Sequence, residues 1–172
     1  FNLTGTVGAP SSIVANSVLT QAATVLTAVA APPSVLVRDA QNNPVPGVTV
    51  TFAVIAGGGT ILPASTVVTN GSGAATLTSW VLGGPAGTGN NVVQASVTGL
   101  IGSPVSFTAS GLVGPASQLA LITQPASVGG IGVPLSQQPV VQLRDAGGND
   151  VPQAGVTVTA GTGTSPGGSP AI

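Results

Sequence analysis

Apolar and polar residues alternate along this chain with the period of a strand. Val48, Val50, Phe52 and Val54 take turns with Thr49, Thr51 and Ala53, which predicts a strand with one buried face, because successive strand side chains point to opposite sides. Val35 and Val37 predict the strand before it, and Asp39-Ala40-Gln41-Asn42-Asn43-Pro44 between the two consists of turn formers. Thr66 to Thr69 and Ala74 to Leu82 flank Asn70-Gly71-Ser72-Gly73, a hairpin signal. Val93, Ala95 and Val97 predict another strand, and Val105, Phe107 and Ala109 the last. The spacing Ala75, Leu77, Trp80, Leu82 slips by one residue from strict alternation, which predicts a β-bulge near Thr78-Ser79 that re-aims Trp80. Parity makes Phe52 and Phe107 core anchors, with Trp80 as a third.

Strands near Ile13 and over Val25 to Val29 complete the set, and no segment has helical periodicity. The expected fold is all-β, an Ig-like β-sandwich of roughly seven to eight strands in two antiparallel sheets.

The chain also repeats itself. Phe1, Gly5, Val7 and Gly8 recur as Phe107, Gly111, Val113 and Gly114, and Pro33, Val35, Arg38, Asp39, Ala40 and Asn43 as Pro139, Val141, Arg144, Asp145, Ala146 and Asn149, always 106 residues on. Two extra residues then enter, so that Val45-Pro46-Gly47-Val48 becomes Val151-Pro152-Gln153-Ala154-Gly155-Val156. A constant offset of this length marks tandem domains. Residues 1–6 read as the last strand of a preceding unit, residues 7–110 as one complete domain, and residues 111–172 as the first half of a second. Half a sandwich exposes its core, so the reading expects its later strands from chain beyond this sequence, or else from a neighbouring subunit. Gly111-Leu112-Val113-Gly114-Pro115 is a short, proline-stiffened linker, with Val7 and Val113 placed to pack on an adjacent domain end. Domains so joined run end to end, each advancing the rod by about 35–45 Å.

The segment Val37-Arg38-Asp39, Asn43-Pro44-Val45-Pro46-Gly47-Val48-Thr49-Val50-Thr51-Phe52, then Asn70-Gly71, Trp80, Ala86-Gly87 and Ser103-Pro104-Val105 resembles bacterial Ig-like domains of the invasin/intimin type. The resemblance spans nearly all of residues 7–110, and its first half returns in 111–172. It implies a repeat of a surface or secreted protein, a setting shared by adhesins, stalks and long secreted chains.

Composition narrows the chemistry. The 172 residues include two Lys+Arg and three Asp+Glu, 3% charged, where soluble proteins carry about 25%. Lys, Glu, His, Cys, Met and Tyr are all absent. General acid–base catalysis, thiolate chemistry, Schiff bases and most metal sites draw on those residues, so the sequence predicts no enzyme, no catalytic residues and no cofactor. Abundant Ser and Thr have no His or Lys to activate them. A net charge of −1 offers phosphate backbones nothing but Arg38 and Arg144, which excludes nucleic acid as a main ligand. The most apolar stretch, Val18 to Val37, is broken by Thr, Gln and Pro32-Pro33, so no membrane-inserted segment is expected. With 26 Gly and 15 Pro between short Val, Ala and Leu runs, the composition fits strands joined by turns.

The few charges gather in one repeated turn element: Arg38, Asp39, Arg144 and Asp145, with Asp150 beside it. Calcium wants six to eight oxygens, and the complete domain has one carboxylate, so no metal site is expected. The aspartates instead should accept backbone N–H bonds where the strand enters the turn, with Arg reaching along the outer sheet face. Asn2-Leu3-Thr4 and Asn70-Gly71-Ser72 match the N-glycosylation triplet, making Asn2 and Asn70 candidate acceptors; Ser and Thr are candidates for O-linked sugar.

A soluble domain keeps about a quarter to a third of its surface charged. The expected function is therefore a structural repeat of an extracellular filament or surface stalk, self-associated into a fibre, coated by covalent glycans, or both. A spacer in a bacterial adhesin with its binding tip elsewhere, and an accessory domain of a secreted enzyme, are the alternatives.

Overall fold

The computed structural model describes residues 6–161. Among these residues it has twelve strands and no helix. Strands β1 (Pro10–Ala15), β3 (Ser34–Asp39) and β7 (Ala74–Thr76) form one sheet in the order β1-β3-β7. A second sheet runs β2-β10-β9-β4-β6, built from Thr20–Thr24, Val105–Leu112, Gly87–Ser96, Thr49–Ala56 and Thr66–Val68. Strands β5 (Thr60–Leu62) and β8 (Ser79–Val81) pair separately. All pairings are antiparallel except β2 with β10, which is parallel.

Alternation places the core. Val50 and Phe52 of β4 are buried while Thr49, Thr51 and Ala53 are exposed, and Val93 and Ala95 of β9 and Phe107 and Ala109 of β10 fill the same interior. Ile13, Val35 and Val37 enter it from the three-stranded sheet. Burying each large aliphatic or aromatic side chain contributes about 1.5–3 kcal/mol, so the two sheets are held by these residues. Trp80 is fully buried among them, as are Phe52 and Phe107.

The structure corrects three local expectations. The strand expected over Val25 to Val29 is β2, Thr20–Thr24; Leu26 has a positive φ of 61°, which breaks the extension. Val25 and Val29 are still buried, their N–H groups donating to Leu112 O and Trp80 O at 2.9 Å. The irregularity near Thr78-Ser79 is a change of partner rather than a bulge. β7 pairs with β3, Leu77 N donates to Pro33 O and Thr78 N to Leu62 O, and β8 then pairs with β5. That split, together with the short β5, raises the count in residues 10–112 to ten.

In the second copy of the repeat, β11 (Gln118–Thr123) and β12 (Val140–Arg144) form an antiparallel hairpin. These are the counterparts of β1 and β3. Leu119 and Val141 are 54% and 38% exposed, whereas their counterparts Ile13 and Val35 are 1% and 0% exposed. Leu119 and Val141 thus hold, on this hairpin, the positions that Ile13 and Val35 hold in the first core.

Candidate functional site

Asp39 ends β3, and its side chain organises the turn that follows. Oδ1 accepts from the N–H groups of Gln41 (2.9 Å) and Asn43 (2.8 Å), while Oδ2 accepts from Asn43 Nδ2 and from Gly8 N, both at 3.0 Å. The turn thus fastens the strand end to the linker that enters the domain. Asp145 repeats the arrangement: Oδ1 accepts from Gly147 N and Asn149 N at 2.9 Å, and Oδ2 from Gly114 N at 2.8 Å. Both aspartates are buried. The Asn43 amide and then the backbone donors hold the Asp39 carboxyl below its ordinary value, against the opposing effect of burial. At Asp145 burial pushes the pKa up, and the N–H bonds from Gly114, Asn149 and Gly147 outweigh it, leaving the carboxyl lowered.

The arginines depart from expectation. Arg38 Nη1 donates to Asn42 O at 2.9 Å, and Arg144 Nε pairs with Asp150 Oδ1 at 3.2 Å. Each closes its own turn and does not reach along the sheet, because the turn carbonyl or carboxylate lies within one guanidinium length. With the oxygens of Asp39 and Asp145 occupied by N–H donors, the turn presents backbone and amide groups outward.

The opposite end of the first copy carries a second polar cluster, which sequence reading missed. Asn91 is fully buried on β9, and its Oδ1 accepts from Gly83 N at 3.0 Å. Gly57, with φ of 89°, leaves no room for a Cβ beside that side chain. Asn90 Nδ2 donates to Pro85 O at 2.7 Å, and its Oδ1 accepts from Gly111 N at 3.2 Å and from Asn91 Nδ2 at 3.0 Å. The adjacent asparagines fix the loop Gly83-Gly84-Pro85-Ala86 against the outgoing linker. Asn90-Asn91 stand just ahead of the predicted Val93–Val97 strand, and strands disfavour Asn, so the pair carried no strand or core signal in the sequence.

These two elements meet. Asn149 Nδ2 donates to Gly84 O at 2.8 Å, and Ala86 N donates to Asn149 Oδ1 at 2.8 Å. The turn of the second copy is thereby clipped to the far-end loop of the first. Val113, expected to pack on a neighbouring domain end, is instead 43% exposed, while the unit that Val7 was expected to meet lies outside the described residues. The contact is polar because two backbone groups on the loop need partners.

No protein-family model, curated protein or solved structure matches this chain.

Asn70 lies in an exposed turn, where its Oδ1 accepts from Ser72 N (3.0 Å), Ser72 Oγ (2.7 Å) and Ala74 N (3.1 Å). Asn2 lies outside the described residues. Thr69, also missed, is buried; its hydroxyl donates to Val45 O at 2.8 Å and accepts from Val48 N at 2.9 Å, pinning the Pro46-Gly47 turn. Among the described residues no three His, Cys, Asp or Glu side chains gather in a group able to hold a metal.

Proposed function

We propose that this chain is a structural repeat of an extracellular filament or surface stalk, assembled from tandem Ig-like domains. The observation that carries the reading is the end-to-end contact, in which the entry turn of one copy is hydrogen-bonded to the exit loop of the copy before it. A chain whose repeats join in this way extends as a rod. The nearly uncharged surface adds support, since 3% charged residues leave little of the repulsion that keeps domains apart.

The Ig-like assignment draws on strand order. Immunoglobulin constant-type sheets group strands A, B, E and D against C, F and G, and variable-type domains add C′ beside C. Reading β1, β3, β4, β6, β7, β9 and β10 as A, B, C, C′, E, F and G gives A-B-E in one sheet and, beyond the parallel edge strand β2, G-F-C-C′ in the other, with β5 and β8 paired outside both; this partial correspondence supports the reading. The repeats would act as spacers that bear load and set distance, self-associated or coated with glycan at Asn70 and at Ser or Thr.

Electron microscopy of the native material, with intact-mass measurement on the same sample, tests this. Uniform fibres with an axial repeat of about 35–45 Å per unit, or mass in excess of the polypeptide, are expected. Isolated short rods of unmodified mass would refute the filament and favour an adhesin spacer.

A further inference from the structure

The two copies of the turn are built alike but face different surroundings. Their backbones share the aspartate-centred bonds described above and a positive φ at the same place, 67° at Asn42 and 83° at Gly148. Asn43 is exposed, whereas Asn149 is half-buried against Gly84 and Ala86. The informative difference lies two residues earlier. Copy two has Gly147 where copy one has Gln41.

Gly147 does not need a glycine for its own backbone conformation, since its φ is not in the left-handed region. It needs one for space. A Cβ there would run into the carbonyl oxygen of Gly84 and lie 3.0 Å from its carbon, closer than real Cβ contacts allow. The Gly84 carbonyl is backbone and cannot swing aside, and the Cβ would also stand 2.9 Å from Asn149 Nδ2, the donor to that same carbonyl. At the matching place Gln41 has that Cβ, and its Oε1 turns back to within 3.5 Å of where a Cβ on linker Gly8 would stand.

We propose that Gly147 and Asn149 form a lock that recognises the backbone of the Gly83–Ala86 loop of the preceding repeat, and that the residue at the Gly147 position selects whether a joint locks. Glycine admits the loop; the glutamine of copy one bars it. Asn149 supplies both hydrogen-bonding functions of its amide, a donor for Gly84 O and an acceptor for Ala86 N, so it reads a carbonyl and an N–H two residues apart. Joints along such an array are then of two kinds, locked and free, set by one residue per repeat. The inference rests on this contact and not on the filament reading, and the two are tested by different measurements.

The test is amide hydrogen exchange by NMR on the full chain, comparing wild type with Asn149→Ala, Gly147→Gln and Gly147→Ala. Ala86 N–H is the reporter, since its bond crosses the joint. Gly114 N–H reports that the Asp145 turn is intact, and Val93 N–H that the first copy is folded. The expected result is loss of Ala86 protection by about tenfold or more in every variant, the factor corresponding to about 1.4 kcal/mol of hydrogen bonding, with Gly114 and Val93 within about twofold of wild type. Ala86 protection surviving Asn149→Ala would overturn the lock. Protection surviving Gly147→Gln would overturn the selector. Should Gln also unprotect Gly114, Gly147→Ala, which adds the Cβ alone, decides: retained Ala86 protection refutes the steric argument and lost protection with Gly114 intact upholds it.

Discussion

Replacing Asn91 with Ala tests whether the exit loop is held by a buried amide. Asn91 is fully buried, and Gly83, whose N–H it accepts, is buried as well. In Asn91→Ala that N–H keeps its burial and loses its partner. An unsatisfied buried donor costs about 1–3 kcal/mol, and the lost bond to Asn90 adds about 1 kcal/mol. The expected destabilisation is about 2–4 kcal/mol, a large part of the roughly 5–15 kcal/mol that stabilises a domain.

Urea unfolding followed by tryptophan fluorescence measures it, because Trp80 is the single tryptophan and is fully buried in the core. With a slope of about 1–2 kcal/mol per molar urea, the midpoint should fall by about 1–4 M at unchanged slope. Gln94→Ala is the control. Its side chain is half-buried and its amide donates to the exposed Ser106 hydroxyl at 3.0 Å, so water replaces the lost partner, and about 0.5–1.5 kcal/mol is expected. An Asn91→Ala cost below about 1 kcal/mol, or one equal to that of Gln94→Ala, would refute the reasoning.

Three further outcomes follow from the same geometry. Thr69→Val keeps the shape of the side chain but strands Val48 N–H and Val45 O, and should cost about 2 kcal/mol by calorimetry; an effect under about 0.5 kcal/mol would contradict it. Asp39 and Asp145 are both lowered from 3.8 in the folded state, so their contribution is complete above that value and is lost as pH falls through the folded pKa values. Because the chain has no His or Cys, the melting temperature should be flat between pH 5 and 8 and drop below about pH 4, with a shallower acid limb in Asp39→Asn. Trp80 Nε1 is buried without a partner among the described residues, so Trp80→Phe should relieve about 1–3 kcal/mol of desolvation while losing comparable ring contact, for a net change within about 1 kcal/mol; a loss above about 3 kcal/mol by calorimetry would imply a partner for that N–H.

The strand faces were legible because a buried face imposes period two, and Val50, Phe52, Val93 and Phe107 obey it. The repeated turn was legible because aspartate at a strand end bonds its own following N–H groups, a local arrangement that six residues are enough to encode. What escaped was set by contacts distant in sequence. Val25 and Val29 are buried without belonging to a strand, since a left-handed Leu26 folds the chain between them, and an apolar pair four apart does not reveal a turn. Asn149 and Gly84 lie 65 residues apart, and the partner atoms are backbone, which no side-chain pattern identifies. The exchange of Gln41 for Gly147 was visible in the repeat alignment, but its meaning depends on a carbonyl that only the folded structure brings near.

A joint of this composition has particular mechanics. Neutral amide bonds to backbone carry no net charge, so a joint held by Asn149 does not weaken as salt screens charges, unlike one built from ion pairs. Two such bonds contribute about 1–3 kcal/mol in total, far below the roughly 5–15 kcal/mol that holds a domain together. Under tension the locked joints therefore open before any sheet comes apart, and they close again unaided because the short linker keeps Asn149 near its loop. Directional hydrogen bonds also fix the angle between repeats, which sliding apolar contacts such as those foreseen for Val7 and Val113 would not. In the proposed rod the core would give each repeat its strength, and the polar joint would give a defined shape with compliance at low force.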